Sequence, residues 1–308
     1  MIVFALAAVV IGFTGMIFAS RAAVTSAAGL VAGTHIPPFV IGTTLLAIGT
    51  DLPEIANSIA ASWSGHGDVN VGDSLGSAAT QLTLVLGLLP IIVGPILVVS
   101  RGIGLTGWLT VAGVGTVVLL TSDDLFGRTD ALLLIGMWLL GSWLIYRRAS
   151  EPVQLSLPDE PAPRGGLVGL MFVAFVGLAT AAMVALWGII ETAEQLDMPE
   201  FVVSFFLASL GTSLPELVFD VTAIRRGESE LAIGDIFGSS FIDATLAVAI
   251  GPLLFPTSVT SGNIQLAGLA AMIAIAIVTV TVTRIREHDW RTGVFFIALY
   301  CGFFLILL

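Results

Sequence analysis

Long apolar runs separated by short polar breaks fill this chain from end to end. Ten runs can be marked, at 2–20, 37–63, 72–95, 103–122, 129–146, 166–190, 199–224, 231–254, 264–283 and 292–308. A run of about 20 residues is long enough to cross a bilayer core of about 30 Å. The pattern therefore predicts an all-α membrane protein of ten transmembrane helices. The one Pro-rich polar stretch is 147–165, with Pro152, Pro158, Pro161 and Pro163. It divides the chain into five spans in 1–146 and five in 166–308, with no soluble domain between them. Two runs are interrupted alike: 49–54 read Gly-Thr-Asp-Leu-Pro-Glu, and 211–216 read Gly-Thr-Ser-Leu-Pro-Glu. An acid inside a span points to a functional site. Gly/Pro-interrupted spans at matching places in two halves point to the binding site of a transporter.

Composition strengthens the membrane reading. The chain is 56% hydrophobic and 11% charged, against roughly 25% charged for soluble domains, which excludes a soluble enzyme. The single Cys301 allows no disulfide framework. The first basic residue, Arg21, follows the first apolar run, so the basic start of a signal peptide is missing and a retained first helix is expected.

Charge then orients the spans. The net charge is −11, and all 11 basic residues are Arg. Ten of them fall in odd-numbered loops: Arg21, Arg101, Arg147, Arg148, Arg164, Arg225, Arg226, Arg284, Arg286 and Arg291. Only Arg128 falls in an even loop. This bias places the odd loops in the cytoplasm and both termini outside the cell. Five spans per half is an odd number, so the halves would cross the membrane in opposite senses, as inverted repeats.

The halves also match residue by residue at an offset of 162. Phe39-Val40 matches Phe201-Val202. Gly49, Thr50, Leu52, Pro53 and Glu54 match Gly211, Thr212, Leu214, Pro215 and Glu216. Gly72-Asp73 matches Gly234-Asp235, Gly76-Ser77 matches Gly238-Ser239, and Pro90 matches Pro252. Each half supplies two chemical elements. Pro53 and Pro215 have no N–H to give the carbonyls of Gly49 and Gly211, so the helices should break there and turn carbonyls toward a cavity. Glu54 and Glu216 follow directly. Carboxylates beside bare carbonyls suit hard cations such as Ca²⁺, and also Na⁺. In the next span Ser77 and Gln81 share a helical face, and Ser239 and Asp243 repeat that spacing. A lone Ser in a span usually bonds back to its own helix. A kink that carries an acid, with no basic residue in its span, argues instead for a site.

These paired motifs resemble those of the cation/calcium exchanger superfamily, and within it the prokaryotic Na⁺/Ca²⁺ exchangers. That family carries G-T-S-L-P-E followed by G-N-x-x-G-S-N-x-x-N/D in each repeat. The resemblance covers essentially the whole chain. It implies Glu54 and Glu216 as shared acidic ligands of a central Ca²⁺ site, with the carbonyls of Thr50 and Thr212. Flanking Na⁺ sites would use Ser77 and Ser213 on one side, and Ser239 and Asp51 on the other, with the carbonyls of Ala47 and Ser209. Asp243 and Gln81 would line the middle. The first and sixth spans would slide past the rest, packed through Gly12, Gly15, Ala19, Gly177, Ala181 and Ala182. The chain departs from the family pattern at Asp51, where Ser is usual, and at Gln81. Asp73, Asp235, Ala78 and Ser240 also depart from it.

The leading expectation is a secondary antiporter that exchanges Na⁺ for Ca²⁺, moving Ca²⁺ out of the cell. No tightly bound cofactor and no nucleic-acid partner are expected, and a monomer should suffice. H⁺/Ca²⁺ exchange stays open, because Asp51, Glu54, Glu216 and Asp243 would crowd one cavity. A passive channel fits two broken helices of opposite sense less well. No G-x-x-x-x-G-K loop is present, which argues against ATP-driven pumping by this chain.

Overall fold

The computed structural model describes residues 2–32, 36–99, 101–149, 164–195, 213–260 and 263–307. Helix dominates. The order is α1 (Ile2–Ala32), α2 (Pro38–Ile41), a π turn (Gly42–Leu46), α3 (Ala47–Thr50), α4 (Leu52–Trp63), α5 (Gly67–Thr80), a π turn (Gln81–Val85) and α6 (Leu86–Val93). Strand β1 (Ile96–Leu97), α7 (Ile103–Leu120), β2 (Leu125–Phe126) and α8 (Arg128–Ala149) complete the first half. The second half holds α9 (Arg164–Gln195), α10 (Leu214–Arg225), α11 (Ser229–Ile242), a π turn (Asp243–Ala247) and α12 (Val248–Leu254). It ends with β3 (Thr257–Ser258), α13 (Asn263–Arg284), β4 (Glu287–His288) and α14 (Trp290–Leu307). Seven described helices are long and apolar enough to cross a membrane, or eight if the bent pair Pro38–Thr50 and Leu52–Trp63 counts as one. The expected span 199–224 lies mostly outside the described residues, as does most of the 147–165 linker with its four prolines.

Three features differ from the sequence expectations. Helix α1 runs on to Ala32, so Arg21 sits on the helix and not in a loop. Residues 21–32 are rich in Ala and Val and contain no Pro to stop it. The first break is a bend of 48° at one residue, Asp51, with no longer unwound stretch. The Asp51 N–H still reaches the Ala47 carbonyl and the Ile55 N–H reaches that of Asp51, both at 3.0 Å. The bond that Pro53 cannot make, having no N–H, is forfeited. Finally, four two-residue strands close the loops.

Those strands fix how the halves meet. β1 pairs antiparallel with β4, and β2 with β3. β1 and β2 lie at opposite ends of α7, and β3 and β4 at opposite ends of α13. The pairings therefore force α7 and α13, counterparts at the 162 offset, to run antiparallel where they pack together. The long pair α1 and α9 does the same. Gly12 faces Ala181 and Ala185, Gly15 faces Ala181, Gly177 faces Ala19, and Gly188 faces Ala5 and Val9. Rising numbers on one helix meet falling numbers on the other. Small residues let the two backbones close together, the usual basis of helix association in lipid.

The remaining helices form the main core. Its centre is built from buried Phe39, Leu75, Leu82, Leu89, Phe126, Leu134, Phe237, Phe241, Ile275 and Phe296. α11 presses against α2 and the first π turn at backbone distance. A Cβ on Gly238 would lie 2.4 Å from the Thr43 Cα, and one on Gly234 would lie 2.6 Å from the Phe39 carbonyl. The glycines of the G-D-x-x-G-S motif thus hold the bent span against its neighbour.

Candidate cation site

The bend at Asp51 aims three acids at one point. Carboxylate oxygens of Asp51, Glu54 and Glu216 all lie within 4.8 Å of one another, and all three residues are buried. Asp51 precedes α4, while Glu54 and Glu216 stand in the first turns of α4 and α10. Ser213 caps α10 with nearly the same backbone as Asp51, φ −84° and ψ 6° against −78° and 10°. The repeat therefore extends to the conformation of the break.

Polar side chains surround this triad. Ser239, Gln81 and Glu216 face the Asp51 carboxylate, but none closes a hydrogen bond of normal geometry with it. The oxygens of Glu216 and of Asp243 have no side-chain donor either. Asp243 faces Asp51, Glu54 and Gln81. The Ser240 hydroxyl lies 2.9 Å from the Ile236 carbonyl of its own helix and 3.1 Å from the Gln81 Oε1, and the buried Gln81 Nε2 closes no hydrogen bond. Gln81 and Asp243 each open a π turn, a device common at functional sites. Neither turn had a signal in the sequence beyond the repeat itself.

The remaining expected residues fall as follows. Ser77 is fully buried and its Oγ has no partner, so it does not bond back to its own helix. Ser239 meets the Thr50 Oγ1 at 3.2 Å. Ser213 is buried with an unpartnered Oγ. The Ala47 carbonyl takes the Asp51 N–H at 3.0 Å. Thr212 and Ser209 lie outside the described residues.

Two acids escaped the sequence reading. Asp235 is buried and accepts from the Thr50 hydroxyl at 3.2 Å. Asp220, also fully buried, faces Asp235. Asp235 was visible as a motif departure, whereas Asp220 matches plain Ser58 at the 162 offset and gave no signal. Asp73, the counterpart of Asp235, is instead satisfied by the Asn57 amide at 2.7 Å.

This chemistry calls for a cation. Buried carboxylates without a counter-charge cost several kcal/mol each, and no basic residue lies in the spans that carry them. Oxygens on opposite sides of a Ca²⁺ ion stand about 4.8 Å apart, twice a bond of roughly 2.4 Å. The triad lies within that reach, so one cation could touch all three carboxylates.

A polytopic helical protein with buried acids gathered at a helix bend falls in the class of membrane cation transport proteins. The comparisons narrow the class. Residues 4–147 and 166–308 match the family model of the sodium/calcium exchanger proteins, and the chain belongs to that family. It is 31% identical to the inner membrane protein YrbG of Escherichia coli, over 82% of this chain and 80% of that one. It is 23% identical to the sodium/calcium exchanger MaX1 of Methanosarcina acetivorans, over 96% of each. Its fold matches the sodium-calcium exchanger NCX_Mj soaked with Na⁺ and Sr²⁺, with a TM-score of 0.79 at 25% identity over 99% of each chain. The chain is thus a multi-pass membrane transport protein and not an enzyme.

Proposed function

We propose that this chain is a secondary antiporter exchanging Na⁺ for Ca²⁺ by alternating access, and that it expels Ca²⁺ from the cell. The observation that carries this reading is the buried triad of Asp51, Glu54 and Glu216, whose carboxylates lie close enough together to share one cation. In this reading Glu54 and Glu216 share the central Ca²⁺ with the carbonyls of Thr50 and Thr212. Na⁺ binds beside them through Ser77, Ser213, Ser239 and Asp51, and through the carbonyls of Ala47 and Ser209. Asp243 and Gln81 line the middle. Both ions need the same carboxylates, so they bind in turn. That is the condition for coupled exchange.

The proposed architecture is ten helices in two inverted five-helix repeats, 1–146 and 166–308, joined by a cytoplasmic linker at 147–165. The protein would sit in the cell membrane with both termini outside and work as a monomer. Antiparallel pairing of α1 with α9 and of α7 with α13 supports the inversion. The Arg226 guanidinium reaches the Arg21 carbonyl at 3.1 Å, so two of the arginines on which the side assignment rests lie beside each other. Alternating access would come from α1 and α9 sliding as a pair past the core.

H⁺/Ca²⁺ exchange is the second reading, favoured by the number of acids. Asp51, Glu54, Glu216 and Asp243 exceed the two charges of Ca²⁺, and surplus buried charge takes up protons. Radiolabelled Ca²⁺ uptake into proteoliposomes decides between them. Uptake driven by an imposed Na⁺ gradient supports the first reading. Uptake driven only by an H⁺ gradient replaces it with the second. Passive flux without either gradient would mean a channel.

A further inference from the structure

The structure also contains a basic groove remote from the acid site. At the Arg-rich end of the bundle the first turns of α7, the last turns of α8 and α13, and the β1–β4 junction enclose a cavity of about 610 Å³. Arg101, Arg148 and Arg286 line it, and no acidic residue does among the described residues. This gathers three of the chain's 11 basic residues in a protein of net charge −11. Its other walls are apolar and include Leu105, Trp108 and Val282. Trp108 is 51% exposed. Arg101 and Arg286 come from loops far apart in sequence and Arg148 from the last turn of α8; the β1–β4 pairing draws the first two together, and the Val98 N–H donates to the Arg286 carbonyl at 2.7 Å.

We propose that this groove binds the phosphate headgroup of an anionic phospholipid, with one acyl chain lying along α7 against Trp108 and Leu105. Guanidinium groups are matched to phosphate oxygens in charge and in fork geometry. Basic pockets between membrane helices bind anionic headgroups in this manner, and Trp is favoured at headgroup depth. The apolar wall is what selects a lipid over free phosphate. An inorganic ion would leave Leu105, Val282 and the Trp108 ring uncovered. A phospholipid covers them and meets the guanidinium groups of Arg148 and Arg286 in one step. The inference rests on these helices spanning a bilayer and is independent of which ions the acid site carries.

Trp108 provides the readout. Delipidated full-length protein in detergent is titrated with phosphatidylglycerol or phosphatidylcholine bearing brominated acyl chains, and quenching of Trp fluorescence is recorded. The Trp108→Phe variant isolates the Trp108 contribution. Saturable quenching of Trp108 by the anionic lipid is expected, weakening as salt is raised. Arg148→Gln with Arg286→Gln should weaken it about 25-fold, roughly fivefold for each arginine. Arg286→Lys should retain most of the binding, which separates lost charge from misfolding. Equal quenching by both lipids, or an unchanged affinity in the double Gln variant, overturns the proposal. So does displacement of the lipid by equimolar inorganic phosphate, which would make the groove a simple anion site.

Discussion

The two halves share a backbone but not a charge pattern. The break at Asp51 and the cap at Ser213 have nearly the same torsions, and the π turns at Gln81–Val85 and Asp243–Ala247 stand at the same offset. The side chains on this common frame have been exchanged. The first half carries Asp51 and Gln81 where the second carries Ser213 and Asp243. Asn57 satisfies Asp73 in the first half. In the second, the matching position is Phe219, and Asp235 turns instead to Thr50 and Asp220. A symmetric scaffold thus presents an asymmetric set of oxygens to its two sides. Geometry is what the repeat preserves. Charge is what each half is free to redistribute, provided the sum in the middle suits the cargo.

The test with the largest expected effect removes what the halves have in common. Glu54→Gln and Glu216→Gln should each reduce Ca²⁺ flux to background while the protein elutes as a folded species from gel filtration. Flux near wild type in either variant would reject the shared-ligand assignment. Next comes the frame itself. Gly238→Leu forces a side chain into the Thr43 backbone, and overpacking of this kind costs about 1–3 kcal/mol. A melting temperature in detergent lowered by several degrees, with flux reduced alongside, is the expected result. An unshifted melt would mean that α11 does not press on the bent span.

A smaller effect is expected from making the halves alike at the break. Asp51→Ser gives both breaks a serine and removes one surplus carboxyl. Protons compete with cations for these oxygens, so flux falls as pH falls. With fewer acids the fall should be shallower, while exchange persists. A pH profile superimposable on wild type would show that Asp51 adds no charge to the transported set. The smallest effect is assigned to the hydroxyls. Ser77→Ala and Ser239→Ala should each raise the Na⁺ concentration needed for half-maximal exchange by a few-fold and leave Ca²⁺ affinity nearly unchanged. Ser239→Ala should be the more disruptive, because only Ser239 also contacts Thr50. Unaltered Na⁺ dependence in both would remove the hydroxyls from the site.

Much of this site was legible because repetition exposes what one copy hides. One Pro in a span is only a kink. Two, each followed by Glu and each 162 residues apart, specify a shared centre. What stayed hidden depends on contacts between segments. Gln81 meets Ser240 of another helix. The π turns depend on one added residue per turn, which leaves no mark in an apolar run. Asp220 lies on a helix that also carries exposed arginines at its end, and nothing local distinguishes a buried acid there from a solvated one. The overlong α1 was missed because Arg21 reads as a loop residue in a hydropathy pattern, while its backbone is helical and its side chain lies at the exposed edge.

The crossed strands carry a consequence for biosynthesis. β1 emerges from the ribosome early, but its partner β4 lies about 190 residues further on. β2 waits similarly for β3. Contacts of such long range slow folding and leave edges open in the meantime. The first half therefore cannot finish its own structure when it is made, since both of its strands are completed only by the second. A nascent chain stalled before residue 287 would hold β1 as an unpaired edge. Both strands of the first half should consequently stay open edges until β3 and β4, on either side of α13, have been made.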